Sequence, residues 1–328
     1  MSHLGSTLHL PDLAPAAALL EAGDDYLVTS HINSDGDGIG ACLAVAHLLR
    51  LRGKRARVVL QDVPDDPLEF LTGWDDIEEA AAPAGPPVPC AVVLDCPNLE
   101  RIGRVREHLG PDTRILNVDH HQDNTRFGEV NLVSPEVSST SEFLYHLFCS
   151  MGVELDCELA EDLYTGLIYD TGAFRYSLAT ATSLEVGAAL VRAGARLDFI
   201  ADQLYNRCAF GAVKVIGLAI DSLQIFGDGR IALMQLDHEQ VQVGDAEEAV
   251  NYGLMVKGVE VSAILKEEEV GRIRVSLRAR DAVDVREVAA AFGGGGHARA
   301  SGCRIPGDLA TVWRVVLEKL EEAVKGGG

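Results

Sequence analysis

No run of apolar residues in this sequence approaches the ~18–20 needed to cross a bilayer. The opening stretch, MSHLGSTLHLPDLAPAAALLEAGDD, has no basic segment leading into a long apolar run, so no signal peptide is expected. Cysteine is sparse and unpatterned. Cys42, Cys90, Cys96, Cys149, Cys157, Cys208 and Cys303 are odd in number and form no C-x-x-C pair. That argues against a disulfide framework and a zinc-thiolate site, and for thiols in a reducing, cytoplasmic setting. Basic residues are few: 28 Lys and Arg stand against 50 Asp and Glu, a net charge of −22. Broad, sequence-blind binding of long duplex nucleic acid needs a basic face and is excluded on this ground. A small phosphorylated substrate in a locally basic pocket is not. There is no tandem repeat and no long disordered tract, and 328 residues suffice for two domains.

What the sequence does have is a chemically dense stretch near its start. HINSDGDGIG, His31 to Gly40, puts an imidazole and two carboxylates, His31, Asp35 and Asp37, into one short turn. YLVTS before it reads as a strand and ACLAVAHLLRLRG after it as a helix. A strand–turn–helix unit delivers side chains to the carboxyl edge of a sheet, where open α/β proteins place ligands. The glycines Gly36, Gly38 and Gly40 read as the means of bending the chain there.

The first half goes on alternating. RARVVL, AVVLDC and TRILNVDHH read as strands, which implies βαβ units and a mostly parallel sheet. From Ser138 the pattern becomes helical: SSTSEFLYHLFCSMG opens with residues suited to an N-cap, and ELAEDLYTGLIYDTGAF ends near Asp170. The helical run from Ala179 to about Phe210 carries no cluster of ligand-type residues and reads as a linker. Beyond it, SLQIFGDGRIALMQL and VEVSAILKEEEVGRIRVSLRAR read as hairpins, the first around a Gly-Asp-Gly turn. They are followed by short helical DVREVAAAF, the run GGGGHARASG and an amphipathic last helix. The expected organisation is an α/β, Rossmann-like domain over 1–178, a helical linker over 179–210 and a smaller α+β domain over 211–328.

Three further stretches complete a ligand set: Asp95 closing AVVLD, Asp119 with His120 and His121 closing NVDHH, and Asp170 closing a helix. Each alone has an ordinary alternative as a turn-former, cap or polar loop. Parallel strands, however, present their carboxyl ends on one edge, which brings the strand-borne groups together. Two divalent ions about 3.5–4 Å apart need several carboxylates, and such a pair generates hydroxide and clamps phosphoryl oxygens. Mixed carboxylate and imidazole suits Mn²⁺ first, with Mg²⁺ or Co²⁺ as alternatives. Metal-assisted phosphoester hydrolysis is the reaction class these residues point to.

The second half carries the candidate substrate side. From Gly271 to Arg304 seven arginines (272, 274, 278, 280, 286, 299, 304) face three acids (Asp281, Asp284, Glu287), a local excess of positive charge. Alternate arginines on a strand share a face, so Arg272, Arg274, Arg278 and Arg280 line one surface or simply coat a solvated one. Gly293 to Gly296 strip side chains from a loop so that backbone N–H groups approach an anion, and His297, Arg299 and Ser301 add donors. Phe174 and Tyr176 are either base-stacking groups or core aromatics.

HINSDGDGIG, VVLDCPN, NVDHHQ and LIYDTGAF, in that order, resemble the four motifs of the DHH phosphoesterases, and GGGGHARASG resembles the glycine-rich signature of the DHHA1 domain. The resemblance covers nearly the whole chain. It departs at Ser34, where proline is common, and at Gly38, where alanine is common. It implies one ion on His31, Asp35 and Asp95, and a second on Asp37, Asp95, His120 and Asp170, with Asp95 bridging. Asp119 would orient the histidines, and His121 would face the substrate. Arg278, Gly294, Gly295, Gly296, His297, Arg299 and Ser301 would bind the substrate's phosphate and terminal nucleotide across a cleft between the domains. The compact two-domain length is most similar to the nanoRNase group, which implies hydrolysis of very short RNA to mononucleotides and of pAp to AMP. A phosphodiesterase of cyclic di-AMP or pApA, and a catalytically dead nucleotide-binding module, are the other readings. A homodimer is compatible with all three.

Overall fold

The computed structural model describes residues 10–63, 68–83, 85–280, 283–296 and 298–326. The chain forms two compact units, one ending at Arg207 and the other beginning at Cys208. Among the described residues no helix is long and apolar enough to cross a membrane.

The first unit opens with helix α1 (Ala14–Ala22), strand β1 (Asp25–Thr29), α2 (Gly36–Leu51), β2 (Arg55–Leu60) and the two-residue β3 (Glu78–Glu79). Strands β4 (Cys90–Leu94), β5 (Arg114–Asp119) and β6 (Val130–Val133) follow, then helices α3 (Thr140–Ser150), α4 (Cys157–Asp170), α5 (Ala181–Ala193) and α6 (Leu197–Tyr205). The strands form one sheet in the order β3-β2-β1-β4-β5-β6, and every pairing in it is parallel. The order reverses between β1 and β4, which places a topological switch point at their carboxyl ends. Alternation fixes the layers. Tyr26 and Val28 join the large core with α2, α3 and α4, while Leu27 faces a smaller core with Ile102 and Val105.

The connection from β4 to β5 is a 3₁₀ helix, Leu99–His108, broken at Gly103 (φ 60°, ψ −134°). Helices α5 and α6 pack onto the large core through Val186, Leu190 and Ile200. The three glycines of the opening stretch lie within α2, and none has positive φ. Their role is therefore not to bend the chain, contrary to the expectation above, but to admit neighbours. A Cβ at Gly40 would lie 2.5 Å from the carbonyl oxygen of Asp162 on α4.

The second unit comprises α7 (Phe210–Asp221), the hairpin β7 (Gln224–Phe226) and β8 (Ile231–Leu236), α8 (His238–Val241) and α9 (Ala249–Met255). Then come the hairpin β9 (Val261–Glu269) and β10 (Arg272–Ala279), α10 (Val285–Ala290), β11 (Gly295–Gly296), β12 (Ala300–Pro306) and α11 (Leu309–Gly326). The sheet runs β11-β12-β10-β9-β8-β7, antiparallel except for the β8–β9 pair. That parallel pair needs a crossover, which α8 and α9 supply. On β10 the odd residues Ile273, Val275 and Leu277 bury against α10 and α11, which leaves Arg274, Ser276 and Arg278 for the opposite face.

Candidate metal centre

Each acidic or imidazole group predicted as a metal ligand in the first unit lies at or beside the end or start of a secondary-structure element. Asp35 is the N-cap of α2, its Oδ1 accepting the N–H of Asp37 at 3.0 Å and of Gly38 at 3.2 Å. Asp37, two residues on, is completely buried and reaches across to α3. Its Oδ2 accepts the N–H of Thr140 at 2.6 Å and its Oδ1 that of Ser141 at 2.9 Å. Asp95 follows β4 with a left-handed φ of 50°, a conformation that Asp tolerates better than most residues. Asp119 ends β5, His120 and His121 follow it, and Asp170 is the last residue of α4.

These groups converge in three overlapping sets: His31, Asp35 and Asp95; Asp37, His120 and Asp170; and Asp95, His120 and His121. In each set the candidate ligand atoms lie within 4.8 Å of one another. Asp95 sits between the histidines. Its Oδ2 is 3.4 Å from His31 Nε2, and its Oδ1 is 3.4 Å from His120 Nε2 and 3.5 Å from His121 Nδ1. His120 Nε2 also meets Asp170 Oδ2 at 3.0 Å. The donors are oxygen and nitrogen only, with no thiolate, the composition that hard and borderline divalent cations accept.

The electrostatics show how the buried carboxylates and imidazoles balance one another. Burial, with Asp95 and Asp170 close by, pushes the Asp35 carboxyl up to about 7. Burial and the same two carboxylates push Asp37 well above its ordinary range. Burial also opposes ionisation of Asp95, but hydrogen bonds from His120 and His31 outweigh it and hold that carboxyl well below its ordinary range. His31 mirrors this: burial disfavours its charged form, yet Asp95 and Asp35 raise it to about 9. Without a cation, the imidazoles supply the counter-charge for the crowded carboxylates.

Asp119 stands behind this cluster. Its Oδ1 is 2.7 Å from His121 Nδ1 and its Oδ2 accepts from Asn124 Nδ2 at 2.6 Å. Asn124 also donates to Asn117 Oδ1 at 2.8 Å, and Asn117 donates to the carbonyl of Val93 at 3.2 Å. No local pattern in the sequence singles out Asn117 or Asn124. Thr140 carried a signal: SSTS offers four hydroxyls at the start of α3 where one N-cap, Ser139, suffices. The departures at Ser34 and Gly38 prove spatially linked, because a Cβ at 38 would run into the hydroxyls of both Ser30 and Ser34. Phe174 packs onto the core of the first unit.

In the second unit, a cavity of about 550 Å³ is lined by Arg274, Ser276, Arg278, Gly294 to Gly296 and Ser301, with Glu247 at its wall. The alternate arginines are not equivalent. Arg274 pairs with Glu247 and Glu268, and Arg272 with Glu269. Arg280 donates to the carbonyl of Leu254. Among the described residues Arg278 has no carboxylate partner and donates only to the carbonyl of Leu277, at 3.1 Å. The glycine run is partly strand, since Gly295 and Gly296 pair with Gly302 and Ser301. Arg299 flanks the cavity, its carbonyl accepting the N–H of Ala279 at 2.9 Å. His297 lies outside the described residues.

Residues 25–167 match the model of the DHH family, N-terminal domain, and residues 228–326 that of the DHHA1 domain. The chain is 31% identical over 309 residues to the bifunctional oligoribonuclease and PAP phosphatase NrnA of Thermus thermophilus, covering 93% of this chain and 92% of the relative. It is 25% identical over 289 residues to the protein of that name from Bacillus subtilis, covering 86% and 90%. Among solved structures, an exopolyphosphatase-related protein from Bacteroides fragilis superposes with a TM-score of 0.87 at 28% identity, covering 95% and 97%.

Proposed function

The chain belongs to the DHH phosphoesterase family, with a DHHA1 domain after the DHH domain, and from that premise we propose that it hydrolyses very short oligoribonucleotides to mononucleotides and pAp to AMP, with Mn²⁺ as its metal. The observation that carries this reading is the sharing of Asp95 between the His31–Asp35 set and the histidine pair 120–121. A site for one ion has no use for a second set of ligands around the same carboxylate. On this reading His31, Asp35 and Asp95 hold one ion, and Asp37, Asp95, His120 and Asp170 hold the other. When bound, such a pair activates water at neutral pH and neutralises charge on the phosphoryl oxygens.

The chain's own residues do the rest. Asp35 and Asp37 offer carboxylates already oriented by backbone N–H groups, so little side-chain entropy is lost when an ion arrives. Asp119 fixes the ring of His121, which is raised in basicity by Asp119 and Asp95 against the effect of burial, as suits a proton donor to a leaving alkoxide. Arg278 meets a phosphate as a cation not committed to a carboxylate, and the side-chain-free glycines leave the cavity roomy beside it. The relatives' names carry both substrate classes, short oligoribonucleotide and PAP.

Purified protein with Mn²⁺ is assayed on end-labelled di- to pentanucleotides, pAp, pApA and cyclic di-AMP at equal concentration. Dinucleotides and pAp are expected to be consumed fastest. Protein that leaves both uncut overturns the proposal, and a preference for cyclic di-AMP would reassign the substrate.

A further inference from the structure

We propose that Thr140 is a positioning residue for one half of the metal centre, the ion site of Asp37, His120 and Asp170, and not for the half built on His31 and Asp35. The inference rests on the two-ion reading above and adds which helix governs which ion.

Three hydrogen bonds from the start of α3 converge on that half. The backbone N–H groups of Thr140 and Ser141 take one oxygen each of Asp37, at 2.6 and 2.9 Å. The Thr140 hydroxyl donates to Asp95 Oδ1 at 3.3 Å. Asp95 is the shared carboxylate, and its two oxygens are not equivalent. Oδ1 is the one beside His120, whereas Oδ2 is the one beside His31. Every α3 contact therefore falls on the His120 side. Asp35, on the other side, accepts hydrogen bonds among the described residues from the N–H groups of Asp37 and Gly38 of α2. The start of α2 thus braces Asp35, whereas the start of α3 braces Asp37 and one oxygen of Asp95.

The arrangement is also rigid. Thr140 and Ser141 are completely buried, so no water competes for these bonds. Ser139 caps α3 by accepting the N–H of Glu142 at 2.9 Å. The Glu142 carboxylate in turn accepts the N–H of Ser138 at 3.1 Å and the hydroxyl of Ser183, on α5, at 2.9 Å. A helix start pinned in this way keeps its partial positive charge against Asp37.

The test is titration of Mn²⁺ alone into the metal-free full-length protein, followed by calorimetry and by electron paramagnetic resonance. Wild type is compared with Thr140→Val, Thr140→Ser and Thr140→Ala, with the melting of each metal-free protein measured alongside. Thr140→Val keeps the shape and the backbone N–H and removes only the hydroxyl. It is expected to weaken one of two Mn²⁺ sites by about 10–100-fold, the range for loss of an outer-sphere partner, while the other site stays within about twofold. Thr140→Ser is expected to recover wild-type affinity, which a space-filling role would not do. In turnover, kcat falls and KM holds. Unchanged affinity at both sites, or equal weakening of both, overturns the proposal. Should the valine variant not fold, Thr140→Ala is judged by the same two-site criterion. Wild type that takes up no Mn²⁺ overturns the metal-centre reading itself, a different failure from one in which wild type binds two ions and the variants do likewise.

Discussion

His121 Nδ1 and Asp119 Oδ1 are 2.7 Å apart, and the other oxygen of Asp119 is held by Asn124. The carboxylate therefore fixes the ring's orientation and favours the proton on Nδ1. Asp119 belongs to none of the three candidate ligand sets. Asp119→Asn should accordingly lower kcat about 10–100-fold while both ions remain, and should move the pH profile of kcat downwards as His121 loses a raising influence. Metal analysis alongside kinetics checks this. Loss of an ion from the variant would make Asp119 a ligand instead.

Asp35 should destabilise the metal-free protein. Burial and neighbouring carboxylates hold Asp35 near 7 in the fold against 3.8 when exposed, so between those values the folded chain keeps a proton that the unfolded chain gives up. Stability then falls as pH rises from about 4 to 7 and stays low above that. Asp35→Asn removes the charge and keeps an oxygen to cap α2. In EDTA at pH 8 it should be more stable than wild type, on the order of 2–4 kcal/mol, with the gap closing towards pH 4. Denaturant unfolding across that range tests it. A variant less stable than wild type at pH 8 would show that the cap outweighs the charge.

Gly166 is small because two groups occupy the space a side chain would need. A Cβ there would overlap the hydroxyl of Ser141 and the carboxylate of Asp37. Gly166→Ala must displace α4, Ser141 or Asp37, and overpacking of this kind costs about 1–3 kcal/mol. The urea midpoint should fall and Mn²⁺ affinity should fall with it. An unchanged midpoint would mean that α4 slides away without cost.

The convergence of the candidate ligands was legible because it is chain-local chemistry. His31, Asp35, Asp95, His120 and Asp170 stand at the ends of strongly patterned elements, and parallel topology does the gathering. The hairpins β7–β8 and β9–β10 were equally plain from alternation and a glycine turn. What stayed hidden depends on partners far along the chain. Asp37 and Thr140 are 103 residues apart, and nothing local to either announces the other. The glycines of α2 look like a flexible turn until the helix packed against them is known. The inequality of Arg274 and Arg278 is of the same kind, since Glu247, which pairs with Arg274, lies on a distant segment.

That inequality yields the last prediction. Arg274 is held by two carboxylates, and Glu247 also pairs with Lys266, a nearly buried lysine. Burial raises Glu247, but Lys266 and Arg274 outweigh it and depress the carboxyl below its ordinary range. Glu247→Gln should therefore destabilise the protein by about 1.5–3 kcal/mol at pH 7, the range for a hydrogen bond to a charged group. The deficit should shrink as acid protonates the wild-type carboxyl below about pH 4.5, its ordinary value. Arg278→Ala should do the reverse. It breaks no ion pair among the described residues, so the melting temperature should hold, while KM for pAp and dinucleotides rises about 10-fold or more with kcat kept, the signature of lost uniform binding. Thermal melts and steady-state kinetics on the two variants separate the roles. A fall in melting temperature for Arg278→Ala with unchanged KM would assign that arginine to the fold rather than to substrate.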